Sequence, residues 1–307
     1  MSVFINPYTD FGFKKLFGEE GNKDLLIDFL NPMLPPHHQI ADLTFQNVEA
    51  LPDANSERKA FFDIHCKSAK GERFIVEMQK AKVKHFKDRS LYYITYPIRE
   101  QAVHGDWDFQ LSAIYFIAVL DFWYDDDPKT AKFMRTITFK DQDNDPFYDK
   151  LQLTYLQMKA FNKTETQLET QMDKWAYFLK NLENFEDIPQ ILNEPVFNRA
   201  FQTAKLANYD KTQRDEYEQS RLTYIGAREM INTAAEEGKA EGIEIGKAKG
   251  IEIGEARGIE IGKAKAELEK EQMIVGMDKA GLPANQIVAI TQKTEAEIQQ
   301  IITKYKE

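Results

Sequence analysis

Two carboxylates and an amide in one short segment have the types and the spacing of a metal-dependent catalytic site. Residues 58–79 alternate in character on both sides of Ala69-Lys70-Gly71. This pattern predicts a β-hairpin with a three-residue loop and Gly71 in the left-handed conformation. In that register Asp63 lies directly opposite Glu77. Two carboxylates in this position repel each other unless a positive charge lies between them.

The two faces of the predicted hairpin differ in chemistry, because side chains alternate along a strand. One face is apolar and is expected to be core: Phe62, Ile64, Cys66, Phe74, Val76 and Met78. The other face is mainly polar: Asp63, His65, Lys67, Arg73, Glu77 and Gln79, with Phe61 and Ile75 between them. Oxygens of Asp63, Glu77 and Gln79 could bind Mg²⁺ or Mn²⁺. Alternatively, the face is solvated and Asp63 and Glu77 pair with Lys67 and Arg73.

Composition limits the other possible functions. The chain has 307 residues, 42% of them hydrophobic, which is enough for a core and excludes a wholly disordered protein. A net charge of −10 excludes nucleic-acid binding through an overall basic surface, so any such contact must be local. The single cysteine, Cys66, excludes a disulfide framework and a cysteine-based zinc site. We find no signal peptide and no apolar run that could span a membrane, and we expect a soluble cytoplasmic protein.

A local concentration of positive charge follows the hairpin. Residues 80–89 contain Lys80, Lys82, Lys84, Lys87 and Arg89 and only one acidic residue. Cations beside a metal site suit the backbone of DNA. The alternative is an ordinary solvated face.

The remaining sequence predicts the elements that position these residues. Helical spacing of apolar residues indicates two short helices within residues 10–30 and a helix over 86–103. Strands are predicted at 43–51, 58–67, 72–79, 112–122, 132–139 and 151–158, with mostly helical sequence after that.

An eight-residue repeat occupies residues 242–265 in three copies, preceded by a degenerate copy at 234–241. Glycine recurs at every fourth position from Gly238 to Gly262, at a cost to a helix of about 1 kcal/mol each relative to alanine. The other residues favour helix, and the glycines form a bare ridge that another helix can approach. We expect a long self-associating helix; the alternative is a flexible charged linker.

The last forty residues predict a helix that ends before Gly281, a second that begins after Pro283, and a third capped by Thr294 and Glu297. This outline is compatible with a DNA-binding helix-turn-helix or with a small packing or dimerisation unit. Glu295 and Glu297 in the third helix would repel phosphate, which favours the packing unit.

Asp63 followed by Glu77-Met78-Gln79 resembles the PD-(D/E)xK nuclease superfamily, and more narrowly the Rpn-type recombination-promoting nuclease and transposase family. Further motifs of the resemblance are Asp10 to Gly18, Leu30-Asn31, Arg89 with Tyr93, and a tail rich in glutamate and glycine. The literal Pro52-Asp53 precedes the strand of Asp63 among turn residues, so we do not assign it to the site.

The resemblance implies an α/β fold: a restriction-endonuclease-like mixed sheet flanked by helices, followed by an α-helical region and a helical repeat tail. The corresponding domains are a nuclease-like domain at 1–160, a helical domain at 161–232, the repeat at 233–266 and a C-terminal helical segment at 267–307.

The resemblance also implies a Mg²⁺-dependent (or Mn²⁺-dependent) DNA endonuclease acting in recombination or mobile-element processing. Asp63 and Glu77 would be catalytic metal ligands. Asp10 would be a further ligand, or alternatively only the N-cap of its helix. Gln79 occupies the position of the superfamily lysine and can orient water but cannot accept a proton. The alternative is an inactive DNA-binding or scaffold protein with a nuclease fold, and either would form a homo-oligomer through the repeat.

Overall fold

A computed structural model describes residues 2–50, 60–102, 108–124 and 130–305. The chain divides into two compact units, Met1–Asn232 and Thr233–Glu307. The helices are α1 (Asp10–Phe17), α2 (Lys23–Leu30), α3 (Phe86–Arg99), α4 (Gln171–Asn181), α5 (Pro195–Ala204), α6 (Lys211–Lys279), α7 (Ala284–Thr291) and α8 (Glu295–Lys304). The strands are β1 (Leu43–Phe45), β2 (Glu49–Ala50), β3 (Ala60–Phe61), β4 (Ile64–Ser68), β5 (Arg73–Gln79), β6 (Ile114–Leu120), β7 (Met134–Lys140) and β8 (Pro146–Gln157).

The first unit is built on a mixed six-stranded sheet in the order β1-β4-β5-β6-β8-β7. β5, β6 and β8 are parallel, and the pairs β1–β4, β4–β5 and β7–β8 are antiparallel. Two parallel neighbours need a crossover connection, and α3 lies in the one between β5 and β6. Helices pack on both faces, so the predicted α/β fold is confirmed.

The hairpin of β4 and β5 has the predicted register. Ile64 pairs with Val76 and Cys66 pairs with Phe74. Gly71 has φ +101°, as the three-residue loop requires. Local turn chemistry therefore sets how these two strands align.

One face of the sheet packs against α1, α2, α4 and α5 in the larger hydrophobic core. Trp175 of α4 is fully buried there, with its ring 5.5 Å from that of Phe17 and 5.8 Å from that of Phe29. Helices beyond residue 160 thus share a core with the sheet. The division into a nuclease-like domain at 1–160 and a helical domain at 161–232 stays a prediction.

The other face of the sheet is a second core, so the solvated-face alternative is wrong. Phe86, Ile94 and Tyr96 of α3 pack there against strand residues that include Ile75. Phe62 also belongs to this second core, so the prediction that it shares a face with Ile64 and Cys66 is wrong. The backbone bends at Asp63, between β3 and β4, which interrupts the alternation of side chains.

The helix α6 begins in the first unit, where Tyr217 and Tyr224 are buried in the larger core. It continues without interruption through the octad repeat, which confirms the helical prediction for the tail. In the second unit Ile274, Ile287 and Ile298 form a small core. No helix among the described residues is long and apolar enough to cross a membrane.

The predicted helix boundaries in the last forty residues are also confirmed. Gly281 has φ +80°, immediately after α6 ends at Lys279. The Thr294 side chain accepts a hydrogen bond from the Glu297 backbone N–H, and the Glu297 side chain accepts one from the Thr294 backbone.

Candidate active site

Asp63 and Glu77 are brought together where β4 begins and β5 ends. The backbone N–H of Asp63 donates to Oε1 of Glu77 at 3.3 Å. The backbone N–H of Met78 donates to Oδ2 of Asp63 at 2.7 Å. The bend at Asp63 allows its side chain to reach the neighbouring strand's backbone. Glu77 is only 3% exposed.

Burial and the charge of a nearby carboxylate shift both carboxyl groups toward their neutral forms. Burial raises the pKa of Glu77 to about 8, with a further contribution from the negative charge of Asp63. Burial also raises the pKa of Asp63, and the charge of Asp10 acts in the same direction, while the hydrogen bond from Met78 opposes it. The protein environment therefore disfavours full negative charge on the pair.

Three cations partly offset this charge. Nη2 of Arg89, in the first turn of α3, lies 3.4 Å from Oε2 of Glu77. The same guanidinium lies 5.0 Å from the centre of the Tyr93 ring, which fixes its position. The charges of Lys14 and Lys80 lower the pKa of Asp63. The Arg89 and Tyr93 motif thus has a structural explanation, because it orients a cation toward Glu77.

The side chains of Gln79 and Asp10 each bind another partner. Gln79 is the last residue of β5, and its Nε2 donates to the backbone oxygen of Ala81 at 3.3 Å. Asp10 is the first residue of α1 and forms a 3.0 Å ion pair with Lys14. Its alternative role as N-cap is wrong, because Oγ1 of Thr9 accepts the capping hydrogen bond from the backbone N–H of Gly12.

A cleft of about 700 Å³ opens over Asp63. Its wall includes Asp10 and Lys14 of α1, Lys80 after β5, and Glu216, Gln219, Ser220 and Thr223 of α6. The sequence analysis missed Lys14 and the α6 residues. The i, i+4 spacing of Asp10 and Lys14 was a usable signal for the lysine. The α6 residues come from about 150 positions beyond β4 and left no local signal.

The basic segment does not form one continuous surface. Lys80 lines the cleft, whereas Nζ of Lys87 lies 5.0 Å from the centre of the Tyr124 ring and Arg89 faces Glu77. Lys84 is exposed and Lys82 lies at a smaller neighbouring pocket. The DNA-binding role of these five residues stays a prediction.

The donor set fits a hard divalent cation in chemistry. Asp63 and Glu77 supply carboxylate oxygens. Gln79, two residues after Glu77 in β5, supplies an amide oxygen. Burial raises the pKa of both carboxyl groups, and a bound cation would favour their ionised forms. Across the described ranges, no three His, Cys, Asp or Glu side chains are close enough together to bind a metal ion. The metal ligands, Asp10 included, stay predictions.

Two further sequence motifs are not among the described residues that line the cleft. Asn31 is structural: its Oδ1 accepts from the backbone N–H of Ile40 at 2.8 Å, and its Nδ2 donates to the Ile40 oxygen at 3.0 Å. Pro52 and Asp53 lie outside the described residues.

Comparison with known proteins adds one match. The model of the PD-(D/E)XK nuclease family transposases matches residues 7–234, which include Asp10, Asp63, Glu77 and Gln79. The match ends where the octad region begins. No curated protein and no solved structure matches the chain.

Proposed function

The chain belongs to the PD-(D/E)XK nuclease family transposases, and from this we propose that it is a metal-dependent DNA endonuclease that hydrolyses phosphodiester bonds. The observation that carries the proposal is the contact between buried Glu77 and half-buried Asp63, which lines the cleft and accepts a hydrogen bond from the strand that holds Glu77. We further propose that cleavage serves DNA recombination or mobile-element processing, and that the protein acts in the cytoplasm.

Asp63 and Glu77 would hold the cation, which we propose to be Mg²⁺ or Mn²⁺. Such an ion stabilises charge on the scissile phosphate and lowers the pKa of the attacking water. Gln79 can orient that water through its amide but cannot accept a proton. Asp10 lies close enough to influence Asp63 and would be a further ligand only by exchanging its ion pair with Lys14.

Lys14, Lys80 and Arg89 would hold the substrate. Each is near one of the two carboxylates, and a phosphodiester placed at the pair brings its negative charge within their reach. The net charge of the protein is −10, so attraction of DNA depends on this local cation cluster. Lys82, Lys84 and Lys87 would add contacts to more distant phosphates.

The test is nicking of supercoiled plasmid with Mg²⁺ or Mn²⁺ by the wild-type protein and by Asp63→Asn and Glu77→Gln. These changes keep side-chain shape and remove the charge. We expect a loss of at least about 10³-fold, because both proposed metal ligands are needed for a contribution of several kcal/mol. Asp143→Asn, an exposed carboxylate in the turn between β7 and β8, is the matched control and should cut normally.

A specific observation favours the inactive scaffold as the second candidate. Gln79 stands in place of a lysine, and within the described residues no third His, Cys, Asp or Glu lies close enough to bind a metal ion together with the pair. This candidate predicts DNA binding without cleavage under any divalent ion. It also predicts that Asp63→Asn stabilises the protein without changing DNA affinity.

We also propose that the octad repeat makes the protein a homo-oligomer. Its isoleucines are exposed, for example Ile251 at 62% and Ile261 at 67%, and the glycines have open space around them. Deletion of residues 242–265 should lower the mass of the assembly in sedimentation while leaving nicking per chain unchanged. An unchanged mass would exclude the repeat as the contact.

A further inference from the structure

A second, smaller pocket adjoins the cleft on the side away from α1. It has a volume of about 200 Å³ and lies between the carboxyl ends of β5 and β6 and the helix α6. Lys80 follows β5, Asp121 follows β6, and Lys159 follows β8. Residues at the ends of three neighbouring strands therefore line the pocket. Arg228 of α6 completes this wall. The pocket concentrates positive charge in a protein whose net charge is negative.

Among the described residues that line the pocket, positive charge exceeds negative charge. Lys80, Lys159 and Arg228 supply three cations, and Asp121 supplies one carboxylate. Oδ2 of Asp121 accepts a hydrogen bond from the Tyr224 hydroxyl at 2.8 Å, which fixes the carboxylate against α6. The charges of Lys159 and Arg228 lower the pKa of Asp121 against the effect of its burial, so both cations lie close to it. A bound anion of charge −1 or −2 would reduce this excess.

The pocket is too small for a nucleotide base and sugar. Sites for drug-sized ligands usually occupy about 300 to 1,000 Å³, whereas this pocket has about 200 Å³. Lysine and arginine side chains are suited to phosphate oxygens. The size and the charge together favour a single phosphate group.

The pocket and the cleft adjoin each other. Lys80 lines both of them, and α6 contributes to both, with residues between Glu216 and Thr223 at the cleft and residues between Tyr224 and Asn232 at the pocket. A polynucleotide with one phosphate at Asp63 and Glu77 would present another phosphate along this path.

We propose that Lys80, Lys159 and Arg228 form a phosphate-binding subsite that holds a phosphate of the nucleic-acid strand next to the scissile one. This inference rests on the proposed nuclease function for the identity of the ligand. The site itself rests on the pocket's geometry and its unbalanced charge.

The test compares the double variant Lys159→Gln/Arg228→Gln with the matched control Lys211→Gln/Arg214→Gln. The control removes the same charges from residues outside the pocket, at the start of α6. Binding of a fluorescent DNA duplex is measured without divalent ions over a range of salt, and binding of inorganic phosphate is measured by calorimetry.

We expect the pocket variant to bind DNA at least about 10-fold more weakly and the slope of log K against log salt to fall by about 1 to 2, with the control unchanged. Binding of inorganic phosphate should be lost only in the pocket variant. Duplexes with a 5′-phosphate or a 5′-hydroxyl identify the source: an equal loss on both indicates a backbone phosphate, and a loss on the first alone indicates a terminal one.

Unchanged DNA affinity, salt slope and phosphate binding in the pocket variant would overturn the subsite, and nicking by the wild-type protein would still support the nuclease. Conversely, if no plasmid is ever cut, a selective loss of phosphate binding would keep the subsite and reject the nuclease function.

Discussion

The helix α6 has two regions that are helical for different physical reasons. In its first turns Tyr217 and Tyr224 are 2% and 6% exposed and pack into the larger core. In the octads Ile251 and Ile261 are more than half exposed. Tertiary contacts stabilise the first region, whereas the exposed second region depends on intrinsic helix propensity. One continuous helix can therefore combine a packed segment with a segment whose isoleucines are exposed.

Glycine shows the same difference between the packed unit and the repeat. A Cβ added to Gly12 of α1 would lie 2.2 Å from the backbone oxygen of Asn6. A Cβ added to Gly250, or to any other octad glycine, would meet no atom within 4 Å. Packing requires glycine at position 12. In the octads glycine weakens the helix of the single chain and leaves room for a second helix.

The largest difference in the free energy of unfolding is expected between Trp175→Ala and Ile251→Ala. Loss of the buried indole should lower the free energy of unfolding of the first unit by about 3 to 5 kcal/mol. Ile251→Ala should change it by less than about 0.5 kcal/mol, because the side chain is exposed. Urea unfolding followed by circular dichroism measures both variants. A cost above about 1 kcal/mol for Ile251→Ala would mean that the octads contact other residues.

The second contrast concerns pH, because the first unit contains buried carboxylates and the octads contain only exposed side chains. The folded-state pKa of Glu77, about 8, is above its unfolded value, so ionisation favours unfolding. Without divalent ions, stability should fall as pH rises from about 4.5 to 8, by up to a few kcal/mol at about 1.4 kcal/mol per pKa unit.

Glu77→Gln should remove most of this dependence. The readout is tryptophan fluorescence in urea, which reports the first unit alone, since all three tryptophans precede residue 233. An equally steep pH dependence in Glu77→Gln would show that another group is responsible.

The smallest contrast is between two glycine substitutions. Gly12→Ala should destabilise the first unit by about 1 to 3 kcal/mol, because the new methyl overlaps Asn6. Gly250→Ala should instead stabilise the repeat helix by about 1 kcal/mol in the monomer. Helicity at 222 nm and thermal unfolding at low protein concentration measure both. If Gly250→Ala also reduces the mass of the assembly, the glycine ridge is the contact surface.

Features set by local chemistry were predictable from the sequence. The loop around Gly71 determined the register that places Asp63 near Glu77, and the Thr294 capping box determined where α8 begins. Both depend on residues within a few positions of each other.

Features set by distant parts of the chain were not predictable in the same way. The bend at Asp63 moves Phe62 into the second core, and α3 covers a face that alternation alone left open to solvent. The cleft takes one wall from α6, far from the hairpin in sequence. The sequence therefore identified the carboxylate pair and the nearby Lys80 and Arg89, but not Lys14 or the α6 wall of the cleft.

The octad repeat makes the length of α6 adjustable in fixed increments. Adding or removing one octad keeps the residue order of the helix, changes its length by about 12 Å and rotates the following isoleucines by about 80°. Chains with the same number of octads have the same isoleucine pattern from end to end. In the proposed homo-oligomer we expect chains with equal numbers of octads to pair along the whole repeat, and chains with different numbers to leave one octad without a counterpart.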